Sequence, residues 1–190
     1  MNELFRPQSE GLSAWPRPKL DKPFKLTICV TQTCSMDCKL CYADCKNDPK
    51  QELSTQQWKH FIDELVAENF LHIFFEGGEP FDRPDFEELL AHVNKRLYVA
   101  IRTHAIGIDE TRAKRLKEMG VGRLYVDLFS AEPDVQDELT NSPGSYDRAV
   151  SGMKNALAAG IKVTILGILS RRNHDKLQAY IDLAEQIGAD

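Results

Sequence analysis

Two kinds of segment alternate along the chain from Phe24 onward. Short runs rich in β-branched and aromatic residues are typical of buried strands. These runs are "FKLTICVT" (24–31), "LHIFFEG" (71–77), "RLYVAIRT" (96–103), "GRLYVDLFS" (122–130) and "IKVTILGIL" (161–169). Between them lie longer segments whose apolar residues recur at helical spacing. The alternation predicts an α/β fold with a parallel sheet, outer helices and right-handed crossovers.

Several helix ends carry signals of their own. Residues 54–57, "STQQ", form a capping box and predict that the first helix begins there. We expect the second helix to begin near Asp82, with Pro84 in its first turn. The third helix is expected to end at Gly120. The last helix is expected to have Asn173 as its N-cap.

The two ends of the chain depart from the alternating pattern. Residues 1–23 carry four prolines and no periodicity, which predicts an irregular N-terminal extension. Residues 24–190 then form the core, and the chain stops at "IGAD" (187–190), where another strand is expected to begin. We therefore expect a partial (β/α) TIM-like barrel that is truncated after its fifth βα unit.

Composition and charge narrow the class of protein. A formal net charge of -5 and a pI near 5.6 argue against a nucleic-acid partner, which requires a basic face. The sequence has no apolar run near the roughly 18 residues of a membrane span, and its first residues have no apolar signal-peptide core. We expect a cytoplasmic protein without a membrane partner. In that compartment, closely spaced cysteines indicate metal ligands or redox groups rather than disulfides.

Polar residues that could take part in binding or catalysis follow each predicted strand. They occur in the cysteine-rich segment 34–45, in "EGGEP" (76–80), "THA" (103–105), "SAE" (130–132) and "SRRN" (170–173). The carboxyl ends of parallel strands share one edge, where α/β proteins build their sites. We therefore expect these residues to meet.

The cysteine segment is the strongest chemical signal. Cys34, Cys38 and Cys41 have the spacing C-x3-C-x2-C, and such soft sulfur ligands suit zinc or an iron–sulfur cluster. A loop with three cysteines leaves one iron of a 4Fe–4S cube without protein sulfur and open to another ligand. Cys45 is either a fourth ligand or a bystander, and Cys29 lies inside a predicted strand and is expected in the core.

Together with "GGEP", made of Gly77, Gly78, Glu79 and Pro80, this cysteine spacing resembles the radical S-adenosylmethionine (SAM) superfamily. The similarity runs over about residues 24–190. Its later part, from "NSPGSYDRAVSGMKNALAAGIKVTI" (141–165) onward, looks like members that modify peptides or build peptide-derived cofactors. Those members often carry a C-terminal extension of the SPASM type, which binds auxiliary clusters.

The resemblance implies a 4Fe–4S cluster on Cys34, Cys38 and Cys41. It implies that residues 77–80 bind the amino group of SAM and that Ser130 contacts its carboxylate or ribose. An electron from the reduced cluster would cleave SAM to methionine and a 5′-deoxyadenosyl radical, which takes a hydrogen atom from the substrate. The implied partners are a peptide, protein or cofactor-precursor substrate and an electron donor of the flavodoxin or ferredoxin type.

Other interpretations stay open on the residues alone. The chain could act on a small molecule, activate a glycyl-radical partner, or be a zinc- or cluster-binding scaffold without catalysis. Asp127 lies on a buried strand and must be paired or face the barrel interior, with Arg102 as a conceivable partner. His104 stands in "THA" (103–105), where the family usually has Thr-Asn-Gly.

Overall fold

The computed structural model describes residues 23–45 and 52–190. Within them, five strands form one parallel sheet in the order β1-β2-β3-β4-β5. The strands are β1 Lys25–Thr31, β2 His72–Gly77, β3 Tyr98–Thr103, β4 Val121–Asp127 and β5 Lys162–Leu166. Each follows its neighbour in both sequence and space, which is the arrangement of a partial (β/α) barrel. The predicted extension lies, apart from its last residue, outside the described residues.

The helices of the described region lie between and after these strands. They are α1 Thr55–Ala67, α2 Phe86–Val93, α3 Glu110–Glu118, α4 Pro133–Thr140, α5 Ser145–Ala158 and α6 Leu177–Ile187. The capping box at the start of α1 is present. Ser54 is the N-cap, and the Gln57 side chain accepts a hydrogen bond from the Ser54 N–H. That local prediction is confirmed.

One buried row of side chains crosses the sheet and contacts the helices. Parallel pairing aligns Ile28, Phe75, Ile101, Leu124 and Val163, all of which are buried. Because successive residues of a strand point to opposite faces, the neighbours of this row face the other side of the sheet. That second face carries polar groups, among them the side chains of Arg102 and Asp127, which line a cavity.

The start of α2 differs from the prediction. The helix begins at Phe86 rather than near Asp82, and a short 3-10 turn, Pro80–Asp82, precedes it. Arg83 has an extended backbone (φ -76°, ψ 118°) because Pro84 disfavours the helical conformation of the residue before it. The proline therefore stands before the helix instead of in its first turn.

The predicted N-cap of the last helix is wrong. α6 begins at Leu177, and Asn173 is fully buried in the turn before it. Its side-chain amide donates to the carbonyl oxygens of Phe129 and Ile168, and its own side-chain oxygen accepts from the Ser170 backbone N–H. Asn173 thus ties this turn to the end of β4 instead of capping a helix.

The far edge of the sheet is extended by one residue. The backbone N–H of Asp190 donates to the Val163 carbonyl at 2.8 Å, and its carbonyl accepts from the Ile165 N–H at 3.3 Å. Asp190 therefore pairs with β5 in the manner of a sheet residue. Truncation after the fifth unit remains a prediction. In the part of the chain that the structure describes, no helix is long and apolar enough to cross a bilayer.

Candidate functional site

A cavity that is partly open to solvent lies at the carboxyl ends of the strands. Segments that follow all five strands contribute to its wall. The residues that bear on its chemistry are Cys34, Cys38, Cys41, Cys45, Gly77, Gly78, Arg102, Thr103, His104, Asp127 and Phe129. The expectation that the polar strand-end residues meet at one edge is confirmed for the segments after β1, β2 and β3.

The cysteine loop is anchored to the fold at several backbone atoms. The Ser35 N–H donates to the Asp82 carboxylate at 2.5 Å, and the Lys39 N–H donates to the Leu139 carbonyl at 2.8 Å. Within the loop, the Cys41 N–H donates to the Cys38 carbonyl at 3.1 Å. The three motif cysteines are thereby held on one wall of the cavity.

The motif thiols differ in exposure and in acidity. Cys34 is buried, Cys38 is half-buried and Cys41 is exposed. Burial raises the pKa of Cys34 to about 12, against a lowering hydrogen bond from the Met36 backbone. Burial, followed by the nearby cysteines and Asp127, raises the pKa of Cys38 to about 12 as well. A bound metal cation would reverse this preference, because it binds thiolates and favours their deprotonation.

Cys45 is also a buried member of the wall. It packs with Cys34 and Met36 in a small buried cluster. Burial raises the pKa of its thiol, and so does the neighbouring Cys41. Residues 46–51, which follow it, lie outside the described residues, and the choice between ligand and bystander stays open. Cys29, expected in the core, is exposed instead, and its thiol donates to the Thr31 carbonyl at 3.3 Å.

The two glycines after β2 allow the backbone to contact the cysteine loop. A Cβ atom on Gly77, whose φ is 148°, would lie 2.2 Å from the Thr31 carbonyl oxygen. A Cβ on Gly78 would lie 2.1 Å from the Thr33 carbonyl oxygen. The Gly78 N–H donates to Thr31 and the Glu79 N–H donates to Thr33, each at 2.9 Å. The glycines therefore seat the cysteine loop on β2 and also line the cavity.

Glu79 is buried beside the cavity and does not line it. Its carboxylate accepts from the Thr103 hydroxyl at 2.7 Å, from the His104 N–H at 2.8 Å and from the Phe81 N–H at 3.2 Å. Burial raises the pKa of this carboxyl, whereas His104 and the three donors act in the opposite direction. The side chain thus organises the loop after β3, and Pro80 begins the 3-10 turn behind it.

Ser130 lies away from the cavity lining. It is fully buried, and its hydroxyl oxygen accepts from the Glu132 N–H at 3.0 Å. This is a Ser/Thr turn at the start of α4. The structure does not bring this hydroxyl to the cysteines, and a contact with SAM stays a prediction.

Arg102 and Asp127 form an ion pair on the cavity wall. The Arg102 Nε donates to Asp127 Oδ2 at 2.9 Å, and Nη2 donates to Oδ1 at 3.0 Å. Both side chains are largely buried, and Glu76 lies 4.0 Å from the guanidinium. The partner suggested by the sequence is therefore the one that the structure provides.

Sequence reasoning missed a second arginine that supports the site. The Arg83 guanidinium is buried, and it donates to the Val30 carbonyl at 3.2 Å and to the Glu52 carboxylate at 2.9 Å. Glu52 in turn accepts from the Thr31 hydroxyl at 2.7 Å. This network holds the end of β1, where the cysteine loop begins. No local pattern marks Arg83, because Val30 and Glu52 lie far from it in the sequence.

The chemistry of the donor set determines which groups the cavity could hold. Within the described ranges, no three His, Cys, Asp or Glu side chains converge as on a single metal ion. The fit to a cluster rests instead on soft thiols on one wall, a glycine turn beside them, and the buried His104, whose Nε2 lies 3.7 Å from the Cys38 sulfur. These residues fit a sulfur-ligated cluster with an open position.

The fold and the cavity define a partial (β/α) barrel with a thiol-rich cofactor site at the carboxyl ends of its strands. Comparison with protein families is consistent with this class. The model of the radical SAM superfamily matches residues 28–184, and the chain belongs to that superfamily.

Curated relatives are peptide and cofactor enzymes by name. The chain is 35% identical over 173 residues to mycofactocin maturase MftC of Mycobacterium tuberculosis, covering 90% of this chain and 44% of the relative. It is 30% identical to PqqA peptide cyclase of Ruegeria pomeroyi (92% and 47%). It is 33% identical to Fe-coproporphyrin III synthase of Methanosarcina barkeri (83% and 40%). The chain spans less than half the length of each of these relatives.

Solved structures share the fold at lower identity. Streptococcus suis SuiB bound to precursor peptide SuiA superposes with a TM-score of 0.78 at 19% identity, covering 90% of this chain and 38% of SuiB. SuiB bound to S-adenosylmethionine gives 0.77 at 19% identity, with 88% and 39% covered. The anSMEcpe structure with bound AdoMet gives 0.72 at 15% identity, with 87% and 49% covered. The prediction of a partial TIM-like barrel is confirmed.

Proposed function

We propose that the chain is the cluster-binding core of a radical SAM enzyme that modifies a peptide, protein or cofactor precursor. The observation that carries this proposal is the shared cavity. Cys34, Cys38 and Cys41 lie on one wall of it, and Gly77 and Gly78 lie beside them. The superfamily implies a 4Fe–4S cluster and SAM for such a cavity.

The three motif cysteines are the proposed cluster ligands. Their thiols are the soft donors that iron–sulfur clusters require, and the anchored loop presents them from one segment. A cluster held there would supply the electron for the reductive cleavage of SAM, which is the chemistry that the superfamily uses to take a hydrogen atom from a substrate. An electron donor of the flavodoxin or ferredoxin type belongs to this proposal.

The glycine turn is the proposed cosubstrate wall. Gly77 and Gly78 bring main-chain atoms to the cavity where side chains would clash with the cysteine loop. Glu79 and Pro80 belong to the same motif, and Glu79 positions Thr103 and His104 through its carboxylate. We retain the prediction that this turn binds the SAM amino group. Glu79 would then contribute by holding Thr103 and His104 in place on the cavity wall. For Ser130 the proposed cosubstrate contact has no support from the cavity.

The proposed substrate class rests on the relatives. Mycofactocin maturase and PqqA peptide cyclase are named for precursor maturation, and SuiB has been solved with its precursor peptide. A small-molecule substrate is the second candidate, favoured by the likeness to Fe-coproporphyrin III synthase and to an AdoMet-dependent heme synthase. Both candidates use the same cluster chemistry and differ in what enters the cavity.

Anaerobic reconstitution tests the cluster. The wild-type chain is supplied with iron and sulfide, its metal content is counted, and the reduced protein is examined by EPR with and without SAM. We expect about four irons per chain and a spectrum that changes when SAM is added. Zinc without sulfide, or a spectrum that SAM leaves unchanged, would overturn the proposal in favour of a non-catalytic scaffold.

Cysteine variants assign the ligands. Single replacement of Cys34, Cys38 or Cys41 by alanine should abolish the intact cluster, whereas the exposed Cys29→Ala is the matched control and should retain it. Cys45→Ala resolves whether this thiol is a ligand. Formation of 5′-deoxyadenosine in the presence of candidate peptides or of porphyrins then separates the two substrate classes.

A further inference from the structure

His104 lies against one of the proposed cluster ligands. Its ring is buried, and Nε2 is 3.7 Å from the Cys38 sulfur. On its other side, the ring meets Phe129 edge-on, with the ring centroids 5.8 Å apart and the planes at 87°. The imidazole is therefore confined between an aromatic ring and a thiol on the cavity wall.

The backbone fixes the place of this ring. The His104 N–H donates to the Glu79 carboxylate at 2.8 Å, and the next N–H, of Ala105, donates to the Thr103 hydroxyl at 2.9 Å. Ala105 has a left-handed backbone with φ 58°. Because these contacts hold the loop from both sides, the distance from His104 to Cys38 is a built feature of the fold.

The environment of the ring indicates which nitrogen carries the proton. Nδ1 is buried and has no hydrogen-bond partner among the described residues. A buried acceptor without a partner is tolerated better than a buried N–H without one. The proton therefore belongs on Nε2, the nitrogen that faces the Cys38 sulfur.

The charges around Cys38 are such that a hydrogen-bond donor would stabilise negative charge on its sulfur. Cys34, Cys41 and Asp127 are the negative or potentially negative groups that act on it. Arg102 is the cation on the same wall, and its guanidinium is already held by Asp127 at 2.9 Å. Among the described residues, His104 is thus a side-chain donor directed at this sulfur.

We infer that His104 donates a hydrogen bond from Nε2 to the Cys38 sulfur and raises the reduction potential of the cluster bound there. This inference rests on the proposed function. Adding an electron makes a cluster more negative, and a hydrogen bond to a ligating sulfur stabilises that added charge. His104 is a positioning and tuning residue rather than a group that touches the substrate.

The test is a redox titration of the reconstituted cluster, monitored by EPR without SAM. His104→Phe keeps an aromatic ring beside Phe129 and removes the donor, whereas His104→Gln keeps an N–H at similar reach. We expect His104→Phe to lower the equilibrium constant for one-electron reduction about tenfold, a shift of about 59 mV to more negative potential. His104→Gln should recover most of the wild-type value.

Phe129→Leu is the matched control for packing, because it changes the other face of the imidazole without removing a donor. Its potential should shift much less from the wild-type value than that of His104→Phe. Equal potentials for wild type and His104→Phe at equal iron content would overturn the inference, and so would an equal shift in Phe129→Leu.

If His104→Phe fails to assemble a cluster, His104→Leu takes its place in the titration. Failure of both, while the wild type loads normally, would make His104 a ligand or a structural residue and would also overturn the inference. A wild-type chain that binds no cluster would instead refute the proposed function itself, so the two failures are distinguishable.

Discussion

The Thr103 hydroxyl donates a hydrogen bond to the Glu79 carboxylate at 2.7 Å, and so joins the end of β3 to the turn after β2. Because Glu79 also accepts the His104 N–H, one buried carboxylate sets the position of two neighbouring cavity residues. Glu79 is expected from its motif to face the cosubstrate, but in the structure its carboxylate holds the cavity wall against which that cosubstrate would lie.

Replacement of Glu79 by glutamine should destabilise the chain. The amide would point an NH₂ group at the N–H or O–H donors that the carboxylate now accepts, and it would leave at least one of them without a partner. We expect a loss of about 1 to 3 kcal/mol in the free energy of unfolding, measured in urea. Thr103→Ser is the matched variant, since it keeps the hydroxyl that donates to Glu79 and accepts from the Ala105 N–H, and it should cost less. Equal stability of Glu79→Gln and wild type would contradict this reading of the carboxylate.

Alanine at Gly78 should displace the cysteine loop. Its Cβ would lie 2.1 Å from the Thr33 carbonyl oxygen, a backbone atom that can move only with the loop. We expect impaired iron loading and a lower midpoint in urea. Gly167→Ala is the control, because its Cβ would meet only the edge of the Tyr180 ring at 3.3 Å. Normal iron loading in Gly78→Ala would show that the loop tolerates the shift.

The Arg102–Asp127 pair should show strong coupling in a double-mutant cycle. Removing one partner leaves a largely buried charge unpaired, which costs about 3 to 5 kcal/mol for fully buried pairs. Because Arg102 is about a quarter exposed (side-chain exposure 25%), we expect a smaller loss, about 2 kcal/mol for either single variant, Arg102→Met or Asp127→Asn. The double variant should lose less than the sum. Additive losses in urea denaturation would argue against the pair.

Asp137 should make the stability of the chain depend on acid pH. Burial by itself raises the pKa of this carboxyl, but hydrogen bonds from the Tyr146 and Gly144 backbone N–H groups and from Ser145 lower it overall. Because the pKa is lower in the folded state than the unfolded value of 3.8, the ionised carboxylate stabilises the fold above pH 3.8. This contribution is lost as the pH falls from that value through the folded pKa.

Comparison of Asp137→Asn with wild type from pH 7 to pH 3 measures this contribution. The difference in unfolding free energy should be about 1 kcal/mol at neutral pH and should shrink as the acid range is entered. Asp134→Asn, at an exposed position of the same helix, is the control and should change stability by less than about 0.5 kcal/mol. A difference that is constant with pH would refute the role of the carboxylate.

The elements that the sequence predicted well have strong local signals. The five strands are short apolar runs whose residues pair in register, and α1 begins at its capping box. The helix α4 was not predicted because its buried side chains include Gln136 and Thr140, so that no apolar stripe marks it. Asn173 resembled a helix N-cap, but distant carbonyl groups of the folded chain are its partners.

The alternation of strands and helices, the spacing of Cys34, Cys38 and Cys41, and the glycine turn after β2 are all properties of contiguous sequence. They suffice for the fold class and for the family, because local periodicity and short motifs specify both. The orientation of Glu79, the burial of Ser130 and the contact between His104 and Cys38 depend on groups brought together from distant parts of the chain. Such contacts form only when the strands align, since side-chain direction and burial follow from tertiary packing.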